Sequence, residues 1–314
     1  MKNSKKQTAL VLGSGGARGL AHIGVIKALE ENNIPINIIT GTSIGAFVGG
    51  VYASGKSISE MEKIISDVDK LMVAKIMIPK LFGPGIIDNK RVIEFIKELV
   101  GDIKIENLKV PFACVATDFV TGEEVIFNKD MLADAIMASM AIPTIFQPVL
   151  SNKRYLLDGG LSNPLPIRVA KEMGARKIIA VNVSPNPKRI TKKIKTKKTK
   201  EVKEIIKKLP SKFYSMLPES ISLFAKNDGK QKIIEKIEGQ TNSPSMMNVL
   251  LQSISISTNN LIEQHLRQAK PDILISPKIE DFDMLEFYKG IDIIKCGYDE
   301  AIRLMPAIKN AITR

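Results

Sequence analysis

The chain has 314 residues, of which 44% are hydrophobic and 25% charged, so it is long and apolar enough to bury a sizeable core. It contains two cysteines and two histidines, which excludes a disulfide scaffold, a cysteine zinc site and a metal site built mainly on histidine. The net charge is +13, but twelve basic and two acidic residues lie between Lys188 and Lys212, so most of the excess belongs to one segment.

The first 55 residues alternate between strand, turn and helix. Hydrophobic spacing predicts strands at Thr8–Leu12 and Ile36–Ile39, and helices at Leu20–Glu31 and Ile44–Ala53. This rhythm is typical of a parallel sheet with helices on its faces. We therefore predict an α/β fold with a mainly parallel central sheet and helices on both faces.

The rest of the chain is expected to complete this sheet. The predicted elements are helices at Ser57–Met72 and Asn89–Val100, a hairpin of Phe112–Phe119 and Glu124–Phe127, a helix at Met131–Met140, a hairpin turning at Asn152-Lys153, a helix at Pro166–Met173, a strand at Lys177–Val183, a helix at Met246–Ala269, a strand at Asp272–Ile275 and one or two helices over Met284–Ile312.

No run of 18 apolar residues occurs, so the sequence predicts no membrane-spanning helix. The basic start, Met1–Lys6, precedes only four apolar residues before a glycine turn, which indicates a strand rather than a signal peptide. With the low cysteine content, this predicts a cytoplasmic protein. The basic segment makes it a candidate for peripheral association with the inner face of the membrane.

The pentapeptide Gly41-Thr42-Ser43-Ile44-Gly45 fits the pattern G-x-S-x-G. In a nucleophile elbow, a serine on a tight strand-to-helix turn exposes its hydroxyl, and the flanking glycines avoid Cβ clashes. The predicted strand before Ser43 and helix after it supply the required context. A plain turn between two elements is the alternative interpretation.

The turn Gly13–Gly19 is a second candidate site, because its glycines allow backbone N–H groups to converge on an anion at the start of a helix. A dinucleotide fingerprint would need glycine where Arg18 stands and an acid after the next strand. A P-loop would need Gly-Lys-Ser/Thr, which is absent. An oxyanion site and a turn that only lets the helix pack closely both remain open.

These features, followed by Asp158-Gly159-Gly160, together resemble the bacterial patatin-like phospholipase family. The matching residues are Gly15-Gly16-Ala17-Arg18-Gly19, then Gly41–Gly45, then Asp158–Gly160, in the order of the family. Ala138–Pro143 is similar to the small-residue helix end that the family carries. The resemblance covers about residues 8–184, and only weakly the strand and helix after Asp272.

The resemblance implies a patatin-like three-layer fold and a serine lipid acyl hydrolase, a phospholipase A or carboxylic-ester hydrolase. It implies Ser43 as nucleophile and Asp158 as its base, with a covalent acyl-enzyme and no metal or organic cofactor. Gly15 and Gly16 are the implied oxyanion donors, and Arg18 the residue that holds a substrate anion or supports the loop. His22 is expected to be structural, and His265 to lie at the surface.

Three segments are predicted on this basis: a patatin-like catalytic core at 1–184, a basic and partly helical insertion at 185–245, and a helix–strand–helix at 246–314 that completes the same domain. Lys188–Phe224 combines the basic run with an amphipathic pattern and an apolar patch, which favours an anionic membrane surface as a partner beside the lipid or ester substrate. Aromatic residues are few there, so nucleic acid is disfavoured.

Two other function classes remain open from the sequence. One is a non-catalytic regulatory or membrane-docking protein on the same fold, against which the intact Ser43 and Asp158 count. The other is a nucleotide-binding oxidoreductase, against which Arg18 in the glycine turn and the missing ribose acid count.

Overall fold

The structure is a computed structural model that describes residues 7–67, 85–87, 89–185 and 246–313. Its strands are β1 (Thr8–Leu12), β2 (Ile38–Thr42), β3 (Gly85–Ile87), β4 (Phe112–Asp118), β5 (Glu124–Phe127), β6 (Thr144–Phe146), β7 (Val149–Ser151), β8 (Arg154–Asp158), β9 (Lys177–Val181) and β10 (Ile273–Ile275). Its helices are α1 (Ala21–Glu31), α2 (Ile44–Ala53), α3 (Ile58–Ser66), α4 (Asn89–Val100), α5 (Leu132–Ser139), α6 (Ile167–Glu172), α7 (Met246–Gln268) and α8 (Gly290–Thr313). Short 3-10 turns occur at Gly16–Leu20, Ile105–Asn107, Gly159–Leu161 and Phe287–Lys289.

Eight of these strands form one sheet, in the order β10-β9-β1-β2-β4-β8-β7, with β5 also paired to β4. The strands from β10 to β4 are parallel, whereas β5, β7 and β8 add antiparallel pairs at one end. The sheet is therefore mainly parallel, as the sequence predicts. Its parallel part places the carboxyl ends of β1, β2 and β4 at one edge.

Helices cover both faces of the sheet. On one face, Ala9, Val11 and Ile38 lie in a buried cluster with residues of α6 and with Ile262 of α7. On the other, α2 packs so closely that a Cβ on Gly49 would lie 2.9 Å from the side chain of Ile39. The α/β class with helices on both faces is thus confirmed.

Glycines also bring α1 and α8 into close contact. A Cβ added at Gly24 would lie 1.9 Å from the carbonyl oxygen of Ile294, and one added at Gly297 would lie 1.9 Å from that of Ala21. No other residue type fits at these crossings without moving a backbone. The last helix is therefore packed directly on the helix that follows the glycine turn.

Most predicted elements appear within a few residues of their expected bounds, and both hairpins are confirmed. The second predicted strand was wrong at its end, because Gly41 and Thr42 continue β2 by pairing with β4. The parallel pair β3 and β6 was not predicted, since three-residue strands beside Pro84 and Pro143 give no periodicity. The predicted helix Ser57–Met72 extends partly outside the described residues.

The chain divides into two compact units, Met1–Asn186 with Ile254–Arg314, and Pro187–Ser253. The first unit holds the sheet described above. Of the second, only residues 246–253 are described. The basic segment Lys188–Phe224, which the sequence singles out, lies outside the described residues, and the three predicted segments stay a prediction.

Candidate active site

The edge of β4 brings Ser43 and Asp158 together. Along this edge β2 pairs with residues 112–115, and β8 pairs with residues 116–118. β5 pairs with the opposite edge of β4, so β2 and β8 share one edge. Thr42, the last residue of β2, lies opposite Val115, and Asp158, the last residue of β8, lies opposite Ala116. The two strands run toward each other, so their ends, and the two candidate catalytic residues, meet.

Ser43 lies on a tight turn between β2 and α2. Its backbone has φ 57° and ψ −122°, a conformation that costs a non-glycine residue about 1–3 kcal/mol. A Cβ on Gly41 would lie 2.4 Å from the carbonyl oxygen of Gly45, and one on Gly45 would lie 2.2 Å from that of Leu12. The two glycines of the G-x-S-x-G pattern are therefore required by space, as expected of a nucleophile elbow.

The side chains of Ser43 and Asp158 are hydrogen-bonded. The Ser43 hydroxyl donates to Oδ2 of Asp158 at 2.6 Å, and the N–H of Gly160 donates to Oδ1 at 2.7 Å. Burial raises the pKa of the Asp158 carboxyl to about 6, although both hydrogen bonds oppose this shift. At neutral pH the carboxyl is thus mostly ionised, and it is a stronger proton acceptor than an ordinary aspartate.

The segment from Ser139 to Ala141 holds both residues of this pair. The hydroxyl of Ser139, fully buried at the end of α5, accepts the N–H of Ser43 at 2.9 Å and donates to the carbonyl of Val115 at 2.6 Å. The carbonyl of Ala141 accepts the N–H of Asp158 at 2.9 Å. Sequence reasoning placed this segment in the family pattern but gave Ser139 no role, because its partners are distant in sequence.

The glycine turn lies against the same site. The N–H groups of Ser14 and Ala17 donate to the carbonyls of Pro164 and Met284. Within the described part of the chain, the two N–H groups between them, of Gly15 and Gly16, have no hydrogen-bond acceptor. Gly16 has φ 60°, and a Cβ there would lie 2.6 Å from the carbonyl of Met284. An oxyanion could therefore accept hydrogen bonds from the N–H groups of both glycines.

Arg18 is bound to the loop before α8. Its Nε donates to the carbonyl of Phe282 at 2.7 Å. Burial lowers the pKa of Arg18, and the nearby carboxylates of Asp283, Glu286 and Glu280 raise it. Because these acids already supply negative charge around the guanidinium, the surroundings favour support of the loop over capture of a substrate anion.

A small cavity joins these parts. It has a volume of about 40 Å³. Ser43, Asp158, Gly15, Gly16 and Arg18 all line it, so the structure brings every predicted site residue to one place. Further lining residues come from the segments around them and from the C-terminal part: Ser14, Ile142, Pro143, Gly160, Leu161, Ser184, Pro185, Ile254, Ser255, Thr258 and Met284.

Ser14 is a cavity residue that sequence reasoning missed. Its hydroxyl is buried and has no hydrogen-bond partner among the described residues. Buried polar atoms are normally paired, so this free hydroxyl, in the same cavity as Ser43, is available to a water or a ligand oxygen. Its position next to Gly15 was the one available signal in the sequence.

The histidines lie apart from this chemistry. His22 is fully buried, and its Nε2 donates to the carbonyl of Gly13 at 2.8 Å. Burial lowers the pKa of His22 to about 4, so the ring is neutral at physiological pH. It is structural, as expected. His265, expected at the surface, is partly buried in α7.

Two further observations concern the described residues only. They contain no group of three His, Cys, Asp or Glu side chains placed to hold a metal ion. None of their helices is both long and apolar enough to cross a membrane. Asp118, the last residue of β4, is buried and accepts the N–H groups of Val120 and Thr121.

Curated proteins similar to this chain include an uncharacterized NTE family protein of Mycobacterium bovis, which is 38% identical over 182 residues, covering 58% of this chain and 50% of that protein. Patatin-like phospholipase domain-containing protein 6 of Homo sapiens is 36% identical over 185 residues, covering 56% of this chain and 13% of its own length. The chain spans half or less of the length of these relatives. Among solved structures, VipD from Legionella pneumophila aligns with a TM-score of 0.48 at 14% identity, covering 96% of this chain and 67% of that one.

The family comparison covers the region in which the site lies. The family model of the patatin-like phospholipases matches residues 10–171, slightly more than half of the chain. This span includes the glycine turn, Ser43, Ser139 and Asp158. The chain therefore belongs to the patatin-like phospholipase family.

Proposed function

We propose that this protein hydrolyses an acyl ester bond of a lipid, with Ser43 as nucleophile and Asp158 as its only base. The observation that carries the proposal is the 2.6 Å hydrogen bond from the Ser43 hydroxyl to Asp158, at a strained turn that lines a cavity. The family membership supports lipid esters as the substrate class. A relative named lysophospholipase NTE1, from Meyerozyma guilliermondii, is 27% identical over 323 residues, covering 98% of this chain and 20% of its own.

In the acylation step, the Ser43 oxygen attacks the ester carbonyl while its proton passes to Asp158. The carbonyl oxygen becomes negatively charged, and the N–H groups of Gly15 and Gly16 donate hydrogen bonds to it. Each such donor is worth about 3 kcal/mol when it is aimed at the oxyanion. The carbon–oxygen bond to the leaving alcohol then breaks, and the alcohol takes the proton from Asp158.

In the deacylation step, a water molecule attacks the acyl-serine and gives its proton to Asp158. The same oxyanion donors act again, the acyl-oxygen bond to Ser43 breaks, and the serine regains the proton. The free hydroxyl of Ser14, in the same cavity, is a candidate to hold this water. No step uses a histidine, a metal or an organic cofactor.

The basic segment Lys188–Phe224 is proposed to bind anionic lipid surfaces. Its charge and apolar residues support this role, since each basic residue near an anionic surface contributes about 1 kcal/mol. Binding of vesicles that weakens with salt, and that is lost when about half of its lysines become glutamine, would test it. Peripheral association with a membrane follows from this proposal.

Labelling with a fluorophosphonate, followed by peptide mapping, tests the nucleophile without knowledge of the substrate. We expect the label on Ser43 in the wild type and no label in Ser43→Ala. Labelling of another serine would overturn the proposal. A protein that is folded but neither labelled nor active on esters would instead support the non-catalytic alternative.

A further inference from the structure

Three exposed apolar side chains form a row across neighbouring strands. Leu150 and Tyr155 lie directly opposite each other on β7 and β8, so their side chains share one face of the hairpin. The N–H of Phe119, the residue after β4, donates to the carbonyl of Tyr155, so Phe119 lies on the other side of Tyr155 from Leu150. Phe119, Leu150 and Tyr155 are 59%, 62% and 53% exposed, and Val120, on the adjacent turn, is 82% exposed.

This row, with Val120, is here called the hairpin patch. One face of the hairpin is exposed and the other is buried. Leu156, the neighbour of Tyr155 on β8, points to the opposite face and is only 1% exposed. Large apolar side chains scattered singly are ordinary, but four together on two adjacent hairpins mark an interaction surface.

The hairpin patch lies at the same edge of the sheet as the candidate dyad. Tyr155 is three residues before Asp158 on β8, a distance of about 10 Å along the strand. Phe119 and Val120 follow the carboxyl end of β4, the edge at which Ser43 also lies. A surface bound by the patch would therefore be close to the catalytic cavity.

The charges around the patch are mixed, with two cations at the tip of one hairpin. Lys153 on the β7–β8 turn and Arg154 at the start of β8 are exposed, near Leu150 and Tyr155. Arg154 also lies 3.8 Å from the buried carboxylate of Asp118, and Glu123 is exposed on the other turn. Because these two cations and two anions offset each other, the apolar side chains are the main feature of this surface.

We propose that the hairpin patch is a second lipid contact, through which the protein inserts Phe119, Val120, Leu150 and Tyr155 into the interface of a bilayer. After insertion, the ring of Tyr155 would lie among the acyl chains and its hydroxyl would stay in water, an arrangement that suits a tyrosine at this boundary. This inference rests on the proposed function, because a lipid hydrolase gains from a contact that brings its cavity to the substrate. Unlike the basic segment, an apolar contact withstands salt.

The sequence contains no tryptophan, so one introduced indole reports on the patch without background. In a Ser43→Ala background, Val120→Trp is mixed with phosphatidylcholine–phosphatidylglycerol vesicles at high salt. We expect a blue-shifted emission and quenching by brominated lipid. Ile291→Trp, on α8 and 51% exposed, is the control on another exposed apolar position and should show neither. An unshifted Val120→Trp, or an equal shift in both variants, would overturn the proposal.

A second measurement uses active protein. Phe119→Ser/Leu150→Ser/Tyr155→Ser should partition onto the same vesicles at least about tenfold more weakly, since several buried apolar side chains are lost. Its hydrolysis of a monomeric nitrophenyl ester should stay within about twofold of wild type, a sign that the fold is intact. Phe119→Ser/Val120→Ser, confined to a turn, replaces it if the triple variant fails to fold.

Ile291→Ser/Ile302→Ser is the control for general loss of apolar surface. Unchanged partitioning of the patch variant would overturn the proposal. So would a wild-type dimer that the patch variant dissociates, because a second copy would then cover this face. The vesicle measurements need no turnover, so they remain decisive even if Ser43 proves not to be the nucleophile.

Discussion

The side-chain hydroxyl of Ser139 accepts the backbone N–H of Ser43, at 2.9 Å. The same hydroxyl donates to the carbonyl of Val115, the residue paired with Thr42 across β2 and β4. It therefore fixes the strained backbone of Ser43 relative to β4, the strand with which Asp158 also pairs. We interpret Ser139 as a positioning residue.

Replacing Ser139 by alanine should lower kcat by about tenfold to a hundredfold and leave KM nearly unchanged. The N–H of Ser43 and the carbonyl of Val115 would both lose a buried partner, at a cost of about 1–3 kcal/mol each. Steady-state kinetics on a soluble ester measure kcat and KM separately. Ser54→Ala, which removes a comparable hydroxyl bond at the end of α2, is the control. An equal change of kcat in both variants would contradict the positioning role.

Ser43→Ala and Asp158→Asn should each abolish ester hydrolysis in a folded protein, whereas His22→Gln should retain it. The reason is that the Ser43 hydroxyl donates to Asp158 and the His22 ring is committed to the carbonyl of Gly13. Initial rates, with circular dichroism as the check of folding, measure this. Turnover by Asp158→Asn together with loss of turnover in folded His22→Gln would refute the dyad.

The rate should increase with pH through an apparent pKa of about 6. Asp158 accepts a proton only when ionised, and burial raises its pKa to that value. Below pH 6, kcat/KM should fall about tenfold per pH unit. His22→Gln should leave this profile in place. An acid limb close to pH 4, the ordinary range of an aspartate, would show that the carboxyl is not desolvated in solution.

Asp158→Asn should stabilise the folded protein at neutral pH. Since the folded-state pKa of Asp158 lies above its unfolded value of 3.8, the folded state binds the proton more tightly, and stability is lost as pH rises from about 4 to 6. The asparagine variant avoids this loss, on the order of 2–3 kcal/mol. Urea unfolding at pH 4 and pH 8 measures it. We expect a gain at pH 8 that shrinks at pH 4, and a gain independent of pH would point to another cause.

Arg18→Ala should reduce activity to the same degree on a phospholipid and on a neutral nitrophenyl ester. Its guanidinium holds the carbonyl of Phe282 among acidic residues, so its loss loosens the glycine turn rather than a headgroup site. Loss of a hydrogen bond to a charged donor lowers stability by about 2 kcal/mol. A much greater loss on the phospholipid would instead support the substrate-anion role.

The sequence predicted the parts of this site that depend on local patterns. The strand before Ser43, the glycines around it and the type of each main element follow from hydrophobic period and turn chemistry. The meeting of β2 and β8 on one edge of β4 could not be predicted, because it depends on register between segments more than 100 residues apart. Ser139 was missed for the same reason, because its partners Ser43 and Val115 are distant in sequence.

The bond from Arg18 to Phe282 also bears on synthesis of the chain, because these two residues are 264 positions apart. At translation rates of about 5–20 residues per second, the glycine turn would wait roughly 13–50 s for this partner. The carbonyl of Met284, which binds Ala17, is made later still. A ribosome-bound chain would thus carry Ser43 and Asp158 well before Gly15 and Gly16, the proposed oxyanion donors, are fixed. Full hydrolytic competence is expected only once the segment that carries Phe282 and Met284 has been made and has folded back.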